Sequence, residues 1–137
     1  MFNPAIREAL KSPLIARLSV VDADGYPHTV PLWFDLDGDD VVIISHRKTR
    51  KVDCIRANPK ASLCIGGGEI QPGKISPGYL LKGLCSLEED TDARWLRQIT
   101  LRYEEKEKAE ASIAQWQREL DIMIIRLIVA KVIKVYG

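Results

Sequence analysis

With 137 residues, 46% of them hydrophobic and 28% charged, the chain has the size and balance of one ordinary globular domain with a core of its own. A formal net charge of +1 excludes a global field for nucleic acid, so electrostatic binding has to come from a local patch. Three widely spaced cysteines without a CxxC pair argue against a zinc or disulfide framework and for buried free thiols in a reducing, cytoplasmic protein.

Asn3-Pro4 opens the first element, a short amphipathic helix carrying Ala5, Ile6, Ala9 and Leu10. Arg7, Glu8 and Lys11 keep residues 1–13 from reading as a signal peptide. Residues 14–21 predict a strand, Asp24-Gly25 a hairpin turn and residues 26–34 the returning strand. Pro27 and Pro31 cannot donate to a ladder, which places that strand at an edge or at a bulge. Asp37-Gly38-Asp39 marks a second turn and residues 41–45 a third strand, together a three-stranded meander. A helix over residues 48–57 stops at Asn58-Pro59, and a strand follows over residues 61–65.

Residues 66–78 hold five glycines and two prolines and read as a long loop. Their triple glycine lacks the spacing of a phosphate-binding P-loop, and no helix follows it. Residues 79–87 predict a strand in which Gly83 marks a bulge or a close backbone approach. Trp95, Ile99 and Tyr103 then recur at helical spacing with Leu96 beside them, and Thr91 or Asp92 is placed to cap that helix. Ile113, Trp116 and Leu120 form a second helical set. Arg126, Lys131 and Lys134 interrupt a last strand over residues 122–136, so part of one face is expected to be wet or to meet a partner. That segment is too short and too charged to span a membrane, and no membrane partner is expected. Six or so mostly antiparallel strands with a few peripheral helices predict one α+β domain over residues 1–137, Greek-key-like and curled into a small barrel.

The chemistry concentrates at Ser45-His46-Arg47-Lys48-Thr49-Arg50-Lys51, where an apolar strand feeds a helix N-terminus. Unpaired backbone N–H groups and the helix dipole favour an anion there, and cations with hydroxyls beside them make a phosphate site. The same run also reads as a solvated charged turn. His28 and His46 are the only two histidines and lack a third ligand at useful spacing, so no metal is expected. His46 reads as a polar edge group or as a proton-transfer group. No nucleophile motif or carboxylate pair stands out, so any catalysis belongs to a cofactor.

Asp24-Gly25-Tyr26-Pro27-His28-Thr29-Val30-Pro31-Leu32-Trp33-Phe34 resembles the "DGxPHxxPxWF" signature of the pyridoxamine 5′-phosphate oxidase-like split-barrel flavoproteins. Ser45 to Lys51, followed by Asn58-Pro59, is similar to that family's "T-x-R-x-S-R-K … NP" segment. The resemblance implies a split β-barrel homodimer with FMN at the subunit interface. It implies that Arg50 and Lys51 grip the phosphate, that Ser45 and Thr49 donate hydrogen bonds, and that Arg47 stands one turn earlier as a further candidate. Val30, Pro31, Leu32 and Trp33 would run beside the isoalloxazine ring, and the dimer would bury apolar surface around Leu32, Trp33 and Phe34. No match to the substrate residues of the true oxidase is present, so the small-molecule substrate stays open. The function expected is an FMN-dependent oxidoreductase. A deazaflavin-dependent reductase on the same fold and a flavin- or haem-binding module without turnover are the alternatives.

Overall fold

The computed structural model describes residues 1–136, apart from the side chains of residues 69, 70 and 136. In α1 (Pro4–Leu10) the Asn3 side-chain oxygen accepts the Ile6 N–H at 2.9 Å, the cap that Asn-Pro predicts. The chain continues through β1 (Ala16–Val21), β2 (Pro27–Leu32), β3 (Phe34–Asp37), β4 (Asp40–His46), α2 (Arg50–Ala57) and β5 (Lys60–Gly66). A small hairpin, β6 (Glu69–Gln71) with β7 (Lys74–Ile75), lies inside the stretch expected to be loop. Then come β8 (Gly78–Glu88), α3 (Arg94–Tyr103), α4 (Lys106–Glu119) and β9 (Ile122–Tyr136). Gly25 turns the first hairpin with a φ of 85°, a conformation that glycine adopts without strain.

The main sheet has seven strands in the order β2-β1-β5-β8-β9-β4-β3, and each pair is antiparallel. Residues 26–34 are not one strand, because the run breaks at Trp33: β2 pairs with β1, whereas β3 pairs with β4. There is accordingly no three-stranded meander. Two strands joined by a single residue occupy opposite edges of the sheet, so the sheet has to curl until those edges meet. That is a split barrel, and Trp33 sits at the split. The edge position of β2 is where Pro27 and Pro31 cost the ladder least.

The barrel interior is filled by alternate residues of the strands. Leu18, Phe34, Ile43, Leu63, Leu81, Ile125 and Leu127 are all fully buried, and Phe2, Ile6 and Leu10 of the N-terminal segment and Val52 and Ile55 of α2 join the same cluster. Part of the second face of β4 and β9 is also covered. There Val42 and Ile124 pack against Trp95 and Ile99 of α3, forming a second, smaller core. Phe34 lies wholly inside its own chain, Leu32 packs against the same interior, and Trp33 packs on the second core. The apolar surface expected at Leu32, Trp33 and Phe34 for a dimer contact is therefore largely absorbed within one chain.

Neither Thr91 nor Asp92 caps α3. Asp90 does so from across a 3-10 turn, one carboxylate oxygen accepting from Trp95 N and the other from Leu96 N, both at 2.9 Å. The intervening Asp92 and Ala93 adopt left-handed φ values of 58° and 55°, a conformation that these two hydrogen bonds help to hold. Asp90→Ala should therefore cost about 1–2 kcal/mol, read as a lowered thermal midpoint. Among the described residues no helix is long and apolar enough to cross a membrane.

Candidate functional site

The end of β4 and the start of α2 bring together three of the residues singled out from the sequence. Ser45 is 5% exposed, and its Oγ donates to the His46 carbonyl at 2.9 Å. The same Oγ lies 3.2 Å from Thr49 Oγ1, which also donates to the His46 carbonyl at 3.1 Å. Lys51 Nζ reaches Thr49 Oγ1 at 3.4 Å. Thr49 stands at the N-cap of α2, yet its side chain makes no cap hydrogen bond, so the first N–H groups of the helix are not claimed by it.

Lys51 is the unusual member of this group. Its side chain is half-buried and makes no ion pair among the described residues. Burial lowers its pKa, because the charged ammonium is held away from water with no opposite charge to offset that loss. Arg47 is the opposite case. It donates from Nε to Asp121 at 3.0 Å and from one terminal nitrogen to both oxygens of Glu89 at 2.7 Å. Glu89 first, then Asp121, raise its pKa and hold it charged. Its charge is already matched, and its backbone N–H is pinned to the Asp121 carbonyl.

Arg50 is exposed and lines an open cleft of about 870 Å³ together with Arg47, Lys48, Thr49, Arg56 and the acidic Asp22 and Asp53. Val30 and Leu32 face inward on β2, opposite Leu18 and Ala16, while Pro31 faces outward opposite Arg17. Trp33 stacks on Tyr103 with ring centroids 4.9 Å apart and planes 2° from parallel. Tyr103 is itself tied down, its hydroxyl donating to the Leu14 carbonyl at 2.5 Å and accepting the Phe34 N–H at 3.3 Å.

Sequence reasoning missed one feature of this region. A cavity of about 200 Å³ opens between β4, β9 and the helical hairpin, walled by Trp33, Ile44, His46, Leu96, Trp116 and Leu120, with Ser45 at its rim. Helical spacing marked Trp116 and Leu120 as one face of a helix, but no periodicity could say that this face meets Trp33.

The family model described as pyridoxamine 5′-phosphate oxidase matches residues 2–136. No curated protein matches the sequence. Among solved structures, the chain is similar to an F420 reductase, with 23% identity over 93% of this chain and 94% of that one and a TM-score of 0.73. It is similar to HutZ, the haem storage protein of Vibrio cholerae, with 19% identity over 98% and 96% and a TM-score of 0.73. General stress protein 26 of Bacillus anthracis follows with 17% identity over 95% and 90% and a TM-score of 0.67. At these identities the shared property is the fold.

Proposed function

The chain belongs to the pyridoxamine 5′-phosphate oxidase family, and on that premise we propose that it binds FMN and acts as a small oxidoreductase. Lys51 is the observation that carries the reading. A half-buried cation without a counter-ion is costly to keep, and a phosphate monoester with nearly two negative charges offsets that cost. Lys51 and Arg50 would hold the phosphate, with the free N–H groups of α2 behind it. Ser45 and Thr49 would turn their hydroxyl hydrogens from the His46 carbonyl onto its oxygens. Arg47, already matched by two carboxylates, would contribute least. Val30, Pro31, Leu32 and Trp33 would flank the ring, where the edge strand β2 leaves main-chain groups unpaired. A bound flavin supplies two-electron redox chemistry; the chain supplies position and electrostatics. Titrating FMN into the apo-protein and following flavin fluorescence should give a dissociation constant near micromolar or tighter, about −8 kcal/mol. Absence of binding at that level would sink the reading.

A second reading, a deazaflavin cofactor, is favoured by one observation. Lys48, Arg50 and Arg56 line the 870 Å³ cleft, and none of them makes an ion pair among the described residues. A longer phosphodiester tail would find its countercharges there. Micromolar binding of a deazaflavin in place of FMN selects this reading, and it is the activity that the name of the F420 reductase carries.

Self-association belongs to the same proposal, but on a different face from the one expected. The outer side of the sheet carries a shallow groove of about 460 Å³ whose lining includes Val21, Pro27, Ala61, Leu84 and Ala130. Leu84 and nearby Ile128 are each 51% exposed and face each other across β8 and β9. A second copy placed there would cover them. The protein should then sediment as a dimer of its 15.4 kDa chain at low micromolar concentration. The double variant Leu84→Glu, Ile128→Glu should sediment as a monomer. A wild-type chain that stays monomeric at that concentration would remove the dimer from the proposal, whether or not it binds FMN.

A further inference from the structure

We infer that the cavity between the helical hairpin α3–α4 and the β4–β9 face is a binding pocket for the ring of a small aromatic carbonyl compound, whose oxygen accepts a hydrogen bond from His46 Nε2. The role of that compound as substrate rests on the flavin reading above; its binding does not.

Size comes first. At about 200 Å³ the cavity is smaller than the pockets of drug-sized ligands and suits one or two fused rings. Its walls are apolar and aromatic. The rings of Trp33 and Trp116 are in tilted contact, with centroids 6.2 Å apart at 54°, so they form one continuous aromatic wall opposite the other apolar groups of the lining. Trp33 is fixed in place by the parallel stack on Tyr103, and Tyr103 by its two hydroxyl hydrogen bonds. This wall is therefore built before any ligand arrives, which lowers the ordering cost of binding.

His46 supplies the polar element. The Lys48 N–H donates to Nδ1 at 3.1 Å, so the neutral imidazole carries its proton on Nε2. Nε2 makes no hydrogen bond among the described residues. An apolar cavity with one oriented N–H donor selects an acceptor such as a carbonyl oxygen on a flat ring. Position adds the connection to the cofactor site. Ser45 belongs both to the rim of the cavity and to the Thr49–Lys51 cluster, so the two sites meet at one strand end.

The test uses the full chain and two ligands of nearly the same shape, acetophenone and ethylbenzene, which differ in the carbonyl. Both are titrated while tryptophan fluorescence is followed, because Trp33 and Trp116 report directly on the cavity. Saturable binding is expected, with acetophenone favoured about fivefold, the worth of one neutral hydrogen bond. In His46→Phe the preference for acetophenone should vanish or reverse, because its carbonyl would then be buried without a donor. In Trp116→Leu, which keeps an apolar side chain in the helix, both should weaken. FMN titrations of the same variants separate the two proposals: a wild-type chain that binds acetophenone but no FMN keeps the pocket and loses the flavin. Unsaturable quenching by both ligands in the wild type, or an acetophenone preference that survives His46→Phe, would overturn the pocket.

Discussion

Lys51→Ala is expected to weaken FMN binding about ten- to a hundredfold while changing riboflavin binding little. The loss is that of a charge-assisted hydrogen bond, roughly 1.5–3 kcal/mol, with 1.4 kcal/mol per factor of ten. Riboflavin lacks the phosphate and should not feel the change. The free protein supplies a second signature. Because Lys51 is partly desolvated and has no ion-pair partner among the described residues, its removal should leave the apo-protein as stable as before or slightly more so. A residue kept for stability would behave in the opposite way. The pKa of Lys51 is lowered in the folded apo-protein, so between that value and the ordinary 10.5 the unfolded chain binds more protons and apo stability rises with pH. A bound phosphate favours the charged ammonium, so FMN affinity should fall as pH rises through the same alkaline window. Arg50→Ala should weaken FMN in the same direction by less, since its guanidinium is exposed and solvent already screens it. Equal losses for FMN and riboflavin in Lys51→Ala would show that Lys51 does not touch the phosphate.

Local features of this fold could be read from short windows of sequence, and long-range ones could not. Asn3-Pro4, Asp24-Gly25 and the edge strand with its two prolines act through neighbouring residues, and each stands where the pattern places it. The break at Trp33 leaves no such mark. Val30, Leu32 and Phe34 keep an alternating apolar pattern straight through it, and only closure of the sheet decides that Leu32 and Phe34 belong to opposite edges. The last strand covers the expected residues 122–136, but which of them face inward is set by a contact distant in sequence. Met123, Ile125, Leu127 and Val129 point inward, but beyond a bulge the inward position is Val132, so the period of two changes phase halfway along.

The candidate site divides in the same way. Arg47, Arg50 and Lys51 are equivalent as letters in a basic run. What separates them is Glu89, 42 residues away, and Asp121, 74 residues away, which match Arg47 and leave Lys51 unmatched. Sequence located the cluster through strand-to-helix chemistry; tertiary contacts sort its members. A solvated charged turn would keep its cations exposed or ion-paired, as Lys48 and Arg47 are. Lys51 departs from that pattern, half-buried with a hydroxyl near its ammonium but no opposite charge.

The bulge that shifts the last strand leaves no room for a side chain at Gly83, and Gly83→Ala should lower the thermal midpoint by about 10 °C or more. Lys82 pairs with Lys131 and Gly83 with Val129, so Ala130 is the extra residue, and the β9 backbone presses against Gly83. A Cβ built there would stand 2.0 Å from the Ile128 carbonyl oxygen and 2.9 Å from its carbon. Both are main-chain atoms, so no rotamer change relieves the contact. The strands have to part by more than about 1 Å to restore van der Waals distance, and hydrogen bonds on either side stretch with them. Overpacking of 1–3 kcal/mol together with one or two weakened ladder bonds gives about 3–5 kcal/mol. That is a large share of a typical net stability of roughly 5–15 kcal/mol. The ladder lies at the middle of the seven-stranded sheet, and Gly83 and Ala130 both line the outer groove proposed for the second copy, so the dimer should weaken with the fold. Gly68→Ala is the matched control, because among the described residues a Cβ there meets nothing within 4 Å. A midpoint for Gly83→Ala within about 3 °C of the control would mean that β8 and β9 separate at little cost, and the phase change along β9 would then need another cause.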